Sequence, residues 1–461
     1  MNSHVTPDYK ASTRRAQADP PDATPASWYG LSILIVVALY GVVDRQVFIM
    51  LAEQIKTSME LSDFQLGLLQ GLGVSLFAAI VGYPIGWLAD RYDRRVVLAC
   101  CVVVWSLAVA ACGLASDFKM LFIASAMVGA GEAGITPIMF ALIPELFRNE
   151  KRQFANSLNI VVGRLGTGVA IAFCGYLTQI AEWSRPFLPL AMQGMETWRL
   201  TFFWAALPAP LFVLLLITLP VQGKSKASAP SAAHDSAPQA SVGLGIELGD
   251  FLRAHRVGLA TLFLAVTVAT MGLVAMVVWL PVVAMRQYGA TPVEVGNALG
   301  TAVFVSSAVG LLFSLFGMRW LRPRVGPRLP VVAMAIACAA STPPLLMLPL
   351  ASSANGLFVL YCVHMTLLMI GLMTYPTSIQ EVAPRHLCAR MFAIVGVLGI
   401  SLPSLVPSMV GLLSDALKDR PDGLLLAAMV FAVGFLLLAS GLFVWAAKHY
   451  EATVRAAAEA S

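Results

Sequence analysis

The chain has 461 residues, of which 58% are hydrophobic and only 12% charged, and its mean hydropathy is +0.79. A soluble globular domain is nearer half apolar and a quarter charged, so these values exclude an ordinary soluble enzyme or binding module. The net charge of +5 would suggest anionic partners in a soluble protein, but here it reflects topology, and no nucleic-acid partner is expected.

Residues 1–27 are polar, with Lys10, Arg14, Arg15 and several prolines, and have no apolar core; they read as an N-terminal tail rather than a cleaved signal peptide. Six apolar stretches follow, at about 29–52, 65–88, 96–116, 119–142, 153–180 and 198–220, each near the ~20 residues that cross a bilayer as a helix. They define an N-terminal six-helix bundle, residues 28–220. Residues 221–256 are a linker: "GKSKASAPSAAHDSAPQASVG" lacks large apolar side chains and reads as flexible, with His234 solvated, and "IELGDFLRAH" as a short interfacial helix. Six more stretches, at about 257–283, 294–317, 329–350, 356–380, 391–414 and 423–447, form a C-terminal bundle over 257–447, leaving a tail at 448–461. The expected class is an all-α membrane protein with twelve transmembrane helices. Six of the seven cysteines fall within spans and Cys388 in a loop, so neither a disulfide framework nor a metal site is indicated, and no cofactor is expected.

Lys and Arg give the orientation. With the N-terminus inside, twenty-one of the thirty lie in cytoplasmic segments and seven on the opposite side; the other two, Arg45 and Arg164, lie within helices. Both termini are therefore expected in the cytoplasm, the chain spanning the cell membrane (the inner membrane in a Gram-negative bacterium). A weak internal repeat supports two equivalent halves. "PELFRNEKRQFA" (144–155) follows helix four and "QEVAPRHLCARMFA" (380–393) follows helix ten, and helices two and eight open on "FQLGLLQG" and "VEVGNALG".

"GWLADRYDRR", residues 86–95, joins helices two and three and resembles the G-x-x-x-D-R-x-G-R-R loop of the major facilitator superfamily, through Gly86, Asp90, Arg91, Arg94 and Arg95. Asp93 stands at the last glycine. The resemblance implies a cytoplasmic gate in which Asp90 docks at the N-terminus of helix eleven, where the helix dipole favours an anion. The copy after helix eight, "GMRWLRPRVGPR", has Leu321 about where that Asp would fall. Within the superfamily the chain resembles the spinster-like group, through "YGVVDRQVF", "LSDFQLGLLQG", "GEAGITP" and "GLLSD". That resemblance implies a proton-coupled or facilitative transporter of lysophospholipids, sphingoid lipids or related amphiphiles. Anion–cation symporters share the Asp-Arg pair and a Gly-Glu-Ala-Gly segment, which keeps a small organic-acid symporter open as the alternative.

Four charges lie well inside helices: Asp44 and Arg45 on helix one, Glu132 on helix four, Arg164 on helix five. A charge there is costly to insert and marks either a structural ion pair or a transport function. Asp44 and Glu132 are the expected proton-coupling acids, and Arg45 and Arg164 the expected substrate-binding cations. Neighbours on a helix diverge by about 100°, so Arg45 is expected to face Glu132, and Arg164 to face Asp44 or Glu132. Spinster-like proteins carry an Arg seven residues before the Glu, where this chain has Ser125; Arg164 is the expected replacement. His364 reads as packing, Glu294 and Asp415 as gate or cap residues, and Trp279, Tyr375, Phe77 and Met373 as packing or an apolar cavity wall. No nucleophile set or nucleotide loop is apparent. The expected function is therefore not enzymatic: a monomeric secondary transporter, in contact with membrane lipids, that moves an amphipathic, anionic or lipid-like solute with protons.

Overall fold

The computed structural model describes residues 24–147, 149–220, 249–384 and 386–459. The expectations for residues 1–23, for 221–248 with His234, and for Arg148 and Arg385 lie outside the described residues. Among the described residues twelve helices are long and apolar enough to cross a membrane: α1 Pro25–Met59, α2 Asp63–Arg91, α3 Arg94–Leu114, α4 Phe118–Leu146, α5 Phe154–Phe187, α6 Thr197–Ile217, α7 Arg256–Tyr288, α8 Pro292–Val325, α9 Leu329–Leu350, α10 Ala354–Val382, α11 Arg390–Ala416 and α12 Gly423–Glu459. No strand occurs among them. Residues 249–254, within the anticipated interfacial segment, are helical. An even number of spans puts the two ends of the chain on one face, called here the terminal face; the opposite one is the distal face.

Local chemistry sets the helix limits. Thr24 caps α1, with Pro25 at the first turn where its missing N–H costs nothing, and Glu60 ends it in the left-handed region at φ 52°. The repeat is visible in the capping boxes, Ser62 with Gln65 for α2 and Thr291 with Glu294 for α8, so Glu294 is a cap. It recurs in two matching kinks. The α-helical pattern breaks at residues 133–134 in α4, before Pro137, and at 373–374 in α10, before Pro376. In each case the proline removes an N–H from the ladder.

The halves meet along two seams, α2 against α11 and α5 against α8. Both are tight because glycines face them. A Cβ on Gly67 would run into the Pro407 backbone, and one on Gly296 would come within 3.1 Å of the Gly175 Cα. At the distal face the seam is clamped by charge. Arg286, near the end of α7, donates to Glu53 of α1 at 2.8 Å and to both oxygens of Asp63 at 2.9 and 3.0 Å. Asp63 also accepts from Lys56 at 2.5 Å and Ser414 at 2.7 Å. Asp415, at the end of α11, accepts from the backbone N–H groups of Asp63 and Phe64, both at 2.9 Å, and so caps α2 from across the seam. Toward the terminal face the seam loosens: a Cβ on Gly86 of α2, Gly163 of α5, or Gly396 or Gly399 of α11 would meet nothing within 4 Å.

Each half is braced at the terminal face in the same way. Glu145 at the end of α4 pairs with Arg94, and Glu381 at the end of α10 pairs with Arg322 at 2.7 Å while accepting from the Tyr450 hydroxyl at 3.0 Å. These two glutamates are the ones that begin the repeated segments after helices four and ten.

Candidate functional site

The glycines of "GAGEAGITP" let α4 wedge between two neighbours. A Cβ on Gly129 would meet the Val74 carbonyl of α2, and one on Gly131 would meet the backbone of Trp105 on α3. That wedge holds Glu132 at the last turn before the α4 kink, deep in the N-terminal half. Its Oε2 accepts from Arg45 Nη2 at 2.6 Å and Nε at 3.3 Å. The two partners differ sharply in exposure: 61% for the Arg45 side chain and 2% for Glu132. The Arg45 guanidinium is therefore accessible, while the carboxylate sits buried behind it.

Asp44 points elsewhere. It is 1% exposed, and its Oδ2 accepts from the Trp105 indole N–H at 2.7 Å. Asp44 Oδ1 and Glu132 Oε1 are buried and accept no hydrogen bond among the described residues. One turn earlier on α1, Tyr40 donates to the Ala205 carbonyl at 2.8 Å and stacks obliquely on Trp105, fixing the register of α1 against α3 and α6. With both acids ionised Asp44, Arg45 and Glu132 together would carry one net negative charge, which a single bound proton would cancel.

Arg164 is not part of this cluster, which corrects the expected pairing. It is exposed, has no acidic side chain within 4 Å among the described residues, and lines a cavity whose other walls come from α7, α10 and α11. The expected exchange of an α4 arginine for Arg164 fails on the same geometry. Ser125 is fully buried, donates to the Phe122 carbonyl at 2.8 Å, and faces Gly73 of α2, so that position has no room for an arginine.

The loop motif is also in place. Asp90 is largely exposed (78%) and lies 3.7 Å from Arg94, which also pairs with Glu145 and donates to the Ala141 carbonyl at 3.2 Å. Arg91 stacks on Trp87 at 4.0 Å. Asp93, the departure from the family pattern, caps α3 by accepting from the Arg95 N–H at 2.9 Å and binds the Arg95 guanidinium at 2.7 Å. Arg95 holds that carboxyl below the usual carboxylate range and donates as well to the Leu219 carbonyl at 3.1 Å. The substitution thus ties the loop to the end of α6.

Of the remaining candidates, Met373 and Tyr375 line the cavity beside Arg164. Phe77 is partly exposed on α2, and Trp279 is fully buried, donating to the Pro407 carbonyl at 3.2 Å. His364 is buried, with Nδ1 at 2.8 Å from the Ser341 carbonyl, as a packing residue would be. The sequence reading missed Trp105 as the partner of Asp44, and missed the Glu53–Asp63–Arg286 clamp. The only signal for the clamp was that its three charges fall at helix ends on the same face.

Comparison with known proteins agrees with this architecture. Residues 33–408 match the family model of the Major Facilitator Superfamily. Relatives include an MFS-type efflux pump of Mycolicibacterium smegmatis, 28% identical over 35% of this chain and 38% of that protein, and protein spinster of Drosophila melanogaster, 26% identical over 49% and 34%. The chain thus spans well under half the length of either. A probable 4-methylmuconolactone transporter of Cupriavidus pinatubonensis is 25% identical over 68% of this chain and 67% of that protein. Among solved structures, a bacterial homologue of the human lysosomal transporter Spinster, inward-facing and unoccupied, aligns with a TM-score of 0.73 at 22% identity, over 95% of this chain and 98% of that one. The two glycine-lined seams between six-helix halves, the ion pair between α1 and α4 and the family match over most of the length lead to one conclusion: the chain belongs to the Major Facilitator Superfamily, is similar to its spinster-like members, and is not an enzyme.

Proposed function

We propose that the protein is a secondary active transporter that moves an amphipathic organic anion by alternating access, coupled to protons, as a monomer with both termini in the cytoplasm. The observation that carries this reading is the Arg45–Glu132 pair, an accessible cation held by a buried carboxylate at 2.6 Å. An ion pair in that position responds to two ligands. A proton on Glu132 removes the charge that holds Arg45 and so loosens it. An anionic substrate competes with Glu132 for the same guanidinium and favours that proton. The two events reinforce each other, which is the thermodynamic content of symport.

In this cycle the distal clamp of Arg286, Glu53, Asp63 and Asp415 keeps the carrier open to the terminal face. Asp90, Arg91, Arg94 and Arg95 form the latch of the opposite state, with Gly86 allowing α2 to close on α11. The apolar walls around Arg164 favour an amphiphile over a small polar acid.

The test is transport by purified protein in liposomes under an imposed proton gradient, with a single-chain lipid anion and a small aromatic acid offered in parallel. Glu132→Gln should abolish gradient-driven accumulation while leaving counterflow exchange. Accumulation by Glu132→Gln with the pH dependence of the parent would assign the pair to packing instead, and accumulation of the aromatic acid alone would favour the small-acid symporter.

A further inference from the structure

Another cavity, of ≈300 Å³, lies between α7 and the terminal part of α11 and shares no lining residue with the cavity of Arg164. α12 packs along α7 and against the distal part of α11, Val406–Ala416, so nearer the terminal face α11 stands on α7 with a furrow beside it. Ile394, Leu398 and Leu402 of α11 wall one side of the furrow, which opens at Ala260 and Leu264 of α7, both exposed. The Thr267 hydroxyl donates to the Phe263 carbonyl at 2.8 Å, which leaves the Arg256 guanidinium as the uncommitted polar side chain in the lining.

The position of the furrow along α7 matches one leaflet of a bilayer. The apolar stretch of α7 is centred near residue 270, and Arg256 stands about 21 Å from that centre along the helix axis. That is half the ≈40–45 Å thickness of a bilayer with its head-group regions. Thr267, at the other end of the furrow, lies only about 5 Å from the same centre. The furrow thus runs from head-group depth to the midplane. Leu252, in the short helix that precedes α7, also lines it, beside Arg256. Among the described residues no carboxylate lies within 4 Å of Arg256, and Asp250 of the short helix is paired with Arg253 at 3.0 Å.

We propose that this furrow binds one anionic phospholipid of the leaflet at the terminal face, with its phosphate at Arg256 and one acyl chain laid between α7 and α11. Charge complementarity selects the head group, and the length of the furrow selects a bilayer lipid over a soluble anion. The site is separate from the cavity of Arg164 and does not depend on which solute is carried. A chain seated there packs against α11, a helix of the α2 seam, and its head group meets the short helix that leads into α7.

Native mass spectrometry of the full-length protein in detergent, titrated with phosphatidylglycerol or with phosphatidylcholine of the same chains, tests the site. The parent should retain one phosphatidylglycerol about fivefold more tightly than phosphatidylcholine, the factor expected of one basic side chain at an anionic head group. Arg256→Gln should bring the two lipids within about twofold of each other. Arg253→Gln, which removes a cation already paired, should keep most of the preference. Ala260→Trp puts an indole into the furrow from an exposed position, so the fold is not at risk, and should weaken both lipids about tenfold. Leu438→Trp, on the exposed face of α12, should weaken neither. Equal retention of the two lipids by the parent, or a preference that survives in Arg256→Gln, overturns the head-group site. Equal losses in Arg253→Gln and Arg256→Gln assign the preference to the overall charge of this face and overturn it as well. Unchanged binding in Ala260→Trp, or displacement of the lipid by millimolar glycerol phosphate, overturns the furrow as the place of the chain.

Discussion

Arg286 joins the two halves at the distal face more extensively than any other cation among the described residues, and Arg286→Ala is the sharpest probe of the clamp. Its guanidinium makes charge-assisted hydrogen bonds to Glu53 through Nε and Nη2, and to Asp63 through Nη1 and Nη2, at 2.8 to 3.2 Å. Such bonds contribute roughly 1.5–3 kcal/mol each when buried. Two features reduce the loss here. The Arg286 side chain is 26% exposed, and Asp63 keeps Lys56 and Ser414 when Arg286 is gone. We therefore expect Arg286→Ala to destabilise the distal-closed state by about 2 kcal/mol, a shift of roughly 30-fold toward distal opening. Asp415→Asn keeps one acceptor for the α2 N-terminus and loses only the charge, so about 1 kcal/mol, or roughly fivefold, is expected. Ser408 is buried on α11, which forms the seam with α2, and its hydroxyl has no hydrogen-bond partner among the described residues, so it is a suitable reporter. In a background without the native cysteines, maleimide labelling of Ser408→Cys measures the fraction of time the seam is open. Labelling should accelerate in the order parent, Asp415→Asn, Arg286→Ala. Equal rates in Arg286→Ala and the parent, with unchanged melting temperatures, would refute the clamp.

Two further substitutions separate the roles of neighbouring acids. Asp44→Asn keeps an acceptor for the Trp105 indole, so the protein should fold and bind substrate as the parent does but lose gradient-driven accumulation, as liposome uptake would report. Asp93→Ala removes the cap of α3 and should cost about 1 kcal/mol. Because the folded Asp93 carboxyl titrates below its ordinary range, that stability is present above about pH 3.9 and disappears as the pH falls through the folded value, so parent and variant melting temperatures should converge in acid.

The fold was legible because a membrane span is a long run of one kind of residue, and each apolar stretch became one helix. The helices extend further than the stretches, α1 to Met59 and α12 to Glu459, because a helix continues into water through polar turns that hydropathy does not register. The repeat was legible through residues with a shared task, the glycines of the seams and the glutamates that brace each half at its terminal face. The Arg45–Glu132 pair was legible because a buried charge on a helix needs a partner and helical spacing sets its direction. The partner expected for Arg164 was misplaced by the same logic. Depth and charge place it near Glu132, but which way a side chain on α5 faces depends on the twist of α5 against α8, and that is fixed by Gly168 and Gly175 packing on Gly300 and Gly296. Hydropathy carries no trace of that rotation, and a cation facing a cavity needs no acidic partner.

That error bears on the mechanism. Had all four charges formed one neutral cluster, the N-terminal half would have held its own counterions and had no electrostatic reason to bind an anion. With Arg164 outside, the trio with both acids ionised has one negative charge in excess and the cavity a separate positive one. In the proposed cycle a proton neutralises the first and frees Arg45, and Arg164 offers the anion a second cation. The helices meeting at the α2–α11 seam also end in carboxylates at opposite faces, Asp90 and Asp415. In the structure Asp415 caps α2 across the seam, while Asp90 remains largely exposed. Rigid helices crossing at a seam close one end as they open the other, so in the proposed cycle the two carboxylates act as alternative locks. For turnover the locks must differ by no more than the free energy the ligands supply: a shift from 1:99 to 99:1 requires about 5.5 kcal/mol of differential binding. In the proposed cycle a proton on the trio acts within the N-terminal half, while an anion at Arg164 reaches across to the walls from α7, α10 and α11, so a state that brings the halves together would collect both contributions.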